Sequence, residues 1–533
     1  MSRNLLEQRW QQLPETAIRR LQAEQLRRYL RTVVLPFSAH YRELFREHRI
    51  EANSIRTLDD LQRLPFTTKA DLLNTPERPQ RAKDFIIIPD EKTLTRRPGT
   101  ILRALCRGRE RVRKELEAEF RPIFVTFPTG RSAEPTPFVY TQRDLENLKI
   151  AARRIVDVCT ARPEERLLSA LPFAPHLAFW LAHYAGTSAG VMTLSSGGGK
   201  VMGTEGNLRL LGTFKPNVLI AMPTFAYHLL QQAVEDGVRC KGLRAIVLAG
   251  EKVSDGLREK LRNLAEKLGA PNLAVLATYG FTEAKQAWTE CPCPHDQASS
   301  GYHLGPDLCI MEVIDPQSGR PLPPGKPGEL VFTPLAARGS VVLRYRTGDY
   351  IDGGLTYEPC PHCGRSVPRL VGNISRRSEI KEMALDKIKG TLVDFNQLEH
   401  VLDDSPHIGS WQIELRKAKD DPLEMDELIL HVQKLNGTDE ATVRRDLNRR
   451  CIERLEISPN RILFHSGEEM RRLQGVGALL KEQKLVDNRP RAKADAKLSV
   501  APPTAPDADS SRRAETNGDA VEEAVSPDVS SPR

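Results

Sequence analysis

What the chain lacks narrows its class before any motif is read. The longest stretch free of Asp, Glu, Lys and Arg, residues 167–199, could in length cross a bilayer. It is interrupted by Pro172, Pro175, His176, His183, Gly186 and Gly190 and ends in Ser195-Ser196-Gly197-Gly198-Gly199, so it reads as buried α/β core. No apolar signal-peptide segment follows Met1-Ser2-Arg3-Asn4, only a charged helical pattern; the expected compartment is the cytoplasm, with no membrane partner. No internal repeat is present. The nine cysteines are not arranged as a disulfide framework, which a cytoplasmic protein rarely keeps.

What is present describes a globular, soluble chain. Its 533 residues, 40% hydrophobic and 28% charged, suffice for about three domains and a large core. The net charge of +8 raises the question of nucleic acid. Much of the excess lies between Arg96 and Arg121, where Arg103, Arg107, Arg109, Arg111 and Arg113 alternate with Glu110, Glu115, Glu117 and Glu119. That pattern predicts a solvated, ion-paired helix, and no nucleic-acid partner is expected.

Leu21, Leu26, Tyr29, Leu30 and Val33 recur at helical spacing, so residues 1–80 are read as a helical N-terminal region, with a further helix starting at Thr57 as cap and Asp59 and Asp60 in its first turn. An Arg-rich insert follows over 81–121. Apolar runs at 122–125, 218–222, 245–250 and 273–277 alternate with helices such as 254–268. They predict strands covered on both faces in a main domain over 122–371. From Leu308 the spacing shortens to hairpin-like strands at 310–314, 328–332 and 341–345. A small α/β unit over 372–489 includes a helix at 440–455. Residues 490–533 contain no aromatic, Ile or Met and read as a disordered tail.

Two motifs about sixty residues apart carry the chemistry: Tyr279-Gly280-Phe281-Thr282-Glu283 and Tyr345-Arg346-Thr347-Gly348-Asp349. Together they propose a nucleotide held by an acceptor-only carboxylate, with a hydroxyl and a second carboxylate near its phosphates. Four cysteines cluster by spacing, as Cys291-Pro292-Cys293 and Cys360-Pro361-His362-Cys363. Thiolates two or three residues apart, with a nearby His, form a zinc signature; no thioredoxin-like context surrounds Cys360 to suggest redox chemistry.

From about Trp10 to Arg489 the chain resembles the phenylacetate-CoA ligase branch of the adenylate-forming superfamily, of which the acyl-CoA synthetases are wider relatives. The resemblance rests on 38–44, on Leu64-Pro65-Phe66-Thr67-Thr68-Lys69-Ala70-Asp71-Leu72, on 243–257 with its Gly250-Glu251, on the two motifs and on 481–489. It implies an α/β fold, with a large multi-layer N-terminal adenylate-forming domain and a small mobile α/β C-terminal domain. It implies an enzyme that activates an aryl or other carboxylic acid with ATP and Mg2+ and passes the acyl group to coenzyme A. Adenylation without thioester formation, as in relatives that adenylate a deazaflavin cofactor, and a catalytically silent nucleotide-binding homologue are the alternatives. The partners are the acid and coenzyme A, with a homodimer left open.

By the same resemblance Asp349 accepts hydrogen bonds from the ribose hydroxyls, Tyr279 and Gly280 line the adenine, Thr282 meets the α-phosphate and Glu283 helps to hold magnesium. Lys481, six residues before Asp487 and eight before Arg489, is the mobile catalytic lysine. Thr129, Gly130 and Ser132 form the phosphate loop, and Gly250 and Glu251 join the nucleotide site. His176, Phe179, Trp180 and Tyr184, with His183, wall the acid pocket. Cys291, His303, Cys360 and Cys363 hold a structural zinc, with Cys293 and His295 as substitutes. The chain departs from the family at Arg131 and Ala133 in the phosphate loop, at Leu480, and at Asn373, where the family has a ribose-contacting arginine.

Overall fold

The computed structural model describes residues 11–75, 78–89, 94, 97–128, 136–376, 387–388, 391–392, 395–417, 426–435, 437–455, 457–479 and 482–489. The tail expected at 490–533 lies outside them. Three of the four apolar runs become β3 (Val218–Ala221), β4 (Ala245–Ala249) and β5 (Ala274–Phe281), while β1 (Arg166–Ser169) and β2 (Met192–Ser195) lie outside the predicted runs. With β6 (Gln286–Thr289) they form a six-stranded sheet in the order β2-β1-β3-β4-β5-β6. The run at 122–125 is not covered on both faces: it forms the strand Pro122–Thr126, paired antiparallel with Phe138–Thr141 outside this sheet, with only Thr126 buried. β1 to β5 run parallel, and β6 folds back antiparallel at the edge. Parallel neighbours need crossovers, supplied by the helices Leu177–Ala189, Gly198–Thr213, Pro223–Glu235 and Asp255–Lys267. Every residue of β3 is buried, which is why its sequence is continuously apolar.

Two helices of the main domain start on side-chain caps. Ser254 accepts the Leu257 N–H at 3.2 Å and caps Asp255–Lys267. Thr141 and Asp144 form a capping box on Gln142–Val158. Asp144 does more than cap: it accepts the N–H groups of Arg338 and Gly339 at 2.9 and 2.7 Å, and it stands 3.2 Å from the Lys285 ammonium. Both side chains are buried.

A second sheet, β7 (Cys309–Ile314), β8 (Gly328–Pro334), β9 (Tyr345–Ile351) and β10 (Ile374–Arg376), is antiparallel throughout and ordered β7-β8-β9-β10. The strand expected at 341–345 is not formed. Val341, Val342 and Leu343 are buried but irregular, and β9 starts only at Tyr345. The reason is that this segment bonds to the N-terminal region instead of a sheet neighbour. Val341 N–H donates to Phe85 O at 2.8 Å, the Tyr41 hydroxyl donates to Val341 O at 3.0 Å and accepts Leu343 N–H at 2.9 Å, and Arg344 takes a φ of 49°.

The N-terminal region is helical as expected, over Glu15–Tyr29 and Ala39–Glu47. A π turn at Leu30–Val34 lies between them, next to Pro36, which has no N–H to continue a regular ladder. This region shares the main hydrophobic core through Leu26, Leu30, Val34 and Tyr41. The helix expected after Thr57 is a 3-10 turn, Asp59–Arg63, and Thr57 is not its cap: Asp60 instead accepts from Arg56 N, Thr57 N and the Thr57 hydroxyl. The Arg-rich segment is two helices, Pro98–Arg107 and Arg109–Phe120, rather than one. Its pairing is as read, with Arg113 within 3.5 Å of Glu110 and 3.6 Å of Glu117.

The small unit has a core of its own around Leu398, Val401, Ile413, Leu430 and Leu447. Its sheet comprises β11 (Ile408–Lys417), β12 (Asp426–Lys434), β13 (Arg461–Phe464) and β14 (Leu485–Asp487), in the order β13-β12-β11-β14. The helix Glu440–Leu455 has the predicted limits. No helix among the described residues is long and apolar enough to cross a membrane.

The Lys285–Asp144 pair gives a stability test. Asp144→Ala removes the cap, two backbone acceptors and the partner of a buried ammonium, and should cost about 3–5 kcal/mol; a melting temperature unchanged in differential scanning calorimetry would contradict it.

Candidate active site and metal cluster

The two motifs meet in space. Tyr279 to Phe281 end β5, Thr282 to Ala284 form a 3-10 turn, and Lys285, at φ 56°, sends the chain back into β6. In this hairpin Gly280 faces Ala287, and a Cβ on it would lie 2.4 Å from the Ala287 Cβ, so no side chain fits there. On β9, buried and half-buried residues alternate, and Asp349 is among the buried ones. The Thr347 hydroxyl accepts Asp349 N–H at 3.0 Å and donates to Leu330 O at 2.9 Å, fixing the carboxylate's backbone.

Two tyrosine–carboxylate bonds then cross-link the motifs in opposite senses. The Tyr279 hydroxyl donates to Asp349 Oδ2 at 2.8 Å, and the Tyr345 hydroxyl donates to Glu283 Oε1 at 2.8 Å. Burial, and then the neighbouring carboxylate charge, hold both phenols well above their ordinary ionisation range, so they stay donors. One side of the Tyr279 ring is backed by Trp288, its register partner on β6, at 5.9 Å between centroids.

Sequence reading missed Arg376. It stands opposite Asp349 in the β9–β10 register, with its Nε 3.0 Å from Asp349 Oδ1. Asn373, where the arginine was sought, instead bonds to Asp352 through its N–H at 2.7 Å. Burial alone would depress the Arg376 guanidinium, but Asp349 and Glu283 outweigh it and keep the group charged. The signal available was the strand alternation after Gly372, which brings an arginine to the row of Asp349 only once the register is known.

Gly250, at φ 89°, turns the chain after β4 and presents Glu251, whose Oε2 accepts the N–H and hydroxyl of Thr224 at 3.2 and 2.8 Å. The aromatic wall forms a half-buried cluster on the strand Pro122–Thr126. Trp180 lies 5.1 Å from Phe124, Phe179 lies 5.0 Å from Phe173, and the His176 ring is 2.8 Å from Phe127 O. Tyr184 pairs with the Lys149 ammonium at 5.2 Å. The structure brings these rings together with one another; their described contacts do not include Tyr279 or Asp349. Thr129, Gly130, Ser132, Arg131, Ala133, Leu480 and Lys481 lie outside the described residues.

Cys291, His303, Cys360 and Cys363 converge, with their ligand atoms all within 4.8 Å of one another. Cys291 Sγ and Cys360 Sγ are 3.6 Å apart, and Cys363 Sγ is 3.2 Å from His303 Nε2. Two thiolates on one tetrahedral ion at a metal–sulfur distance of about 2.3 Å would stand about 3.8 Å apart, so the spacing fits a single small ion. A tight turn carries the Cys pair, with Cys360 N–H on Arg365 O and Gly364 N–H on Cys360 O, both at 2.9 Å. Burial opposes ionisation of Cys360, but hydrogen bonds from His303 and Ser300 prevail and bring it to about 6. Cys293 and His295 are not substitutes: they turn to Gln297 O and Leu273 O. Cys291 lies two residues past the end of β6 and Cys360 and Cys363 lie between β9 and β10, so the cluster joins the same two parts of the chain as the tyrosine–carboxylate bonds.

Comparison with known proteins agrees with this geometry. Residues 63–339 match the family model for AMP-binding enzymes. The chain is 29% identical over 410 residues to the phenylacetate-coenzyme A ligase of Thermus thermophilus, covering 76% of this chain and 80% of that one. It is 25% identical over 382 residues to the phenylacetate-coenzyme A ligase of Escherichia coli, covering 71% and 74%. Among solved structures, 2-hydroxyisobutyryl-CoA ligase in the postadenylation state with 2-HIB-AMP superposes with a TM-score of 0.68 at 19% identity, over 90% of this chain and 92% of that one. That likeness establishes the fold, and with the family match and the convergence of both motifs on Asp349 and Glu283, the chain belongs to the AMP-binding enzyme family, in its phenylacetate-CoA ligase-like branch.

Proposed function

We propose that this chain is an AMP-forming ligase: it activates a carboxylic acid with ATP, releases pyrophosphate, and passes the acyl group from the adenylate to the thiol of coenzyme A. The observation that carries the reading is the reciprocal pairing of Tyr279 with Asp349 and of Tyr345 with Glu283, which holds two carboxylates at fixed places between the β5–β6 turn and β9. Asp349 is suited to accept the ribose hydroxyls, since an ionised carboxylate offers acceptors only. Arg376 is assigned as the group that orients that carboxylate. Tyr279, with Trp288 behind it, is assigned to the adenine, Gly280 keeps the approach open, and the Thr282 hydroxyl is assigned to the α-phosphate. Glu283 would hold the magnesium that accompanies ATP, a hard cation that takes oxygen ligands. Lys481, Thr129, Gly130 and Ser132 complete the set, and Gly250 and Glu251 are assigned to the nucleotide. His176, Phe179, Trp180 and Tyr184 are assigned to an aryl acid, because flat apolar walls suit a planar substrate.

Cys291, His303, Cys360 and Cys363 would hold a structural zinc. The donor set supports this: three thiols and one imidazole, of which two are already biased toward the thiolate, the form that binds metal. The ion would supply no chemistry to the acid; it would tie the β5–β6 hairpin to the β9–β10 connection.

The reading is tested by pyrophosphate release from ATP and magnesium with a panel of aryl and alkyl acids. Release that depends on an acid, followed by thioester formation with coenzyme A, is expected. Product formation indifferent to coenzyme A would select adenylation alone, and nucleotide binding without release would mark a silent homologue. Asp349→Asn should raise the KM for ATP about a hundredfold, roughly 3 kcal/mol for two hydrogen bonds to a charged acceptor; an unchanged KM would remove Asp349 from the ribose site. Protein purified without chelator should contain one zinc per chain by plasma mass spectrometry, and Cys363→Ser should lose it together with stability on the order of 4 kcal/mol. Metal-free wild-type protein would remove the zinc.

A further inference from the structure

The small unit meets the main sheet through a pair of acids. Glu251, on the turn after β4, and Glu482, just before β14, bring their carboxyl groups within reach of one another. Glu482 is 8% exposed, and Glu251 Oε1 and Glu482 Oε2 are both buried without a donor. Ionised carboxylates are acceptors only, so a hydrogen bond between two of them needs one proton held in common.

The backbone around Glu482 is fixed. Gln483 N–H donates to Gln474 O at 2.9 Å, and Gln483 O accepts the Gln412 amide at 2.7 Å. Gln474 in turn bonds to His228 of the main sheet's helix Pro223–Glu235 at 2.7 Å, so the acid pair sits inside a continuous contact between the two cores. On the other side Glu251 is anchored by Thr224.

We propose that Glu251 and Glu482 share one proton and so latch the small unit against the turn after β4, making Glu482 a positioning residue for acid activation. The positioning role rests on the function proposed above; the shared proton does not. In the sequence Glu482 directly follows Lys481, the residue assigned to the reacting carboxylate.

The sign of the pH dependence follows from the surroundings. Burial, and then Glu251, raise the Glu482 carboxyl well above the usual carboxylate range, while Lys484 pulls it down. A group whose pKa is raised in the docked state contributes its stabilisation at low pH and loses it as pH climbs through the docked value. Around the pair stand Lys484, Asp403, Glu399, Lys260 and His228. Burial depresses Lys260 to about 8, and it titrates in the opposite sense. Burial depresses His228 to about 4, so it stays neutral across the range concerned.

The test uses the full-length protein. Infrared difference spectra between neutral and alkaline pH should contain a protonated-carboxyl band that Glu482→Gln and Glu251→Gln each remove. Acid-dependent pyrophosphate exchange should fall on its alkaline limb toward tenfold per pH unit, as loss of one proton requires. Glu482→Gln, which keeps a donor to Glu251, should flatten that limb; Glu482→Ala should lower exchange at every pH. A band that survives both glutamine variants would overturn the shared proton. An exchange profile identical in wild type and Glu482→Gln would overturn the positioning role. If no acid supports exchange, the proposed function fails with the positioning role, while the infrared band still decides the shared proton.

Discussion

The constraint on which the rest of the site depends is the double cross-link between the hairpin after β5 and strand β9. Each tyrosine hydroxyl donates a hydrogen bond to the carboxylate of the other motif. In a buried setting such a bond is stronger than in water, and a carboxylate left without it would carry a large desolvation cost. The two bonds therefore fix both acids relative to one another, though they belong to different sheets. Arg376 joins the network because antiparallel pairing places it opposite Asp349.

The cysteine–histidine cluster acts on the same pair of elements. Cys291 lies two residues past β6, and Cys360 and Cys363 occupy the connection from β9 to β10. A bond between these places limits how far the hairpin and the second sheet can separate. The small strands Tyr302–His303, Arg369–Leu370 and Leu355–Thr356 add a three-stranded sheet around it, with Arg369 paired to His303. Main-chain register and the convergence of these side chains thus reinforce one geometry. The polar groups of the carboxylate pocket stand at the end of β5, as expected for parallel sheets whose binding groups lie beyond the carboxyl ends of the strands.

The contact between the two cores is of another kind. Its titratable groups are buried or half-buried: Glu251, Lys260 and His228 on one side, Asp403, Glu482 and Lys484 on the other. Charges removed from water are stable only while their partners remain in place, so protonation and pairing matter to such an interface. The neighbouring His228–Gln474 bond repeats this pattern with neutral groups.

Much of this was legible in the sequence, for identifiable reasons. The strands β3, β4 and β5 were visible because a strand covered on both faces must be continuously apolar. The helix at 440–455 followed from periodicity, whereas the cap expected at Thr57 did not form because Asp60 took its hydrogen bonds. The two motifs and the clustered cysteines were visible because their chemistry requires fixed residue types at short spacing, and the choice of Cys291, His303, Cys360 and Cys363 came from the family resemblance. What the sequence did not determine was long-range. Burial of Val341 to Leu343 looked like a strand, but their hydrogen bonds went to Phe85 and Tyr41, more than two hundred residues away. Cys293 and His295 matched the ligand types, yet nearby carbonyl groups claimed them. Arg376 reached Asp349, and Glu482 reached Glu251, only through register and docking. Residue type and spacing set what each side chain could do; tertiary structure decided which ones met, because hydrogen-bond partners and shared protons depend on distances that local sequence does not encode.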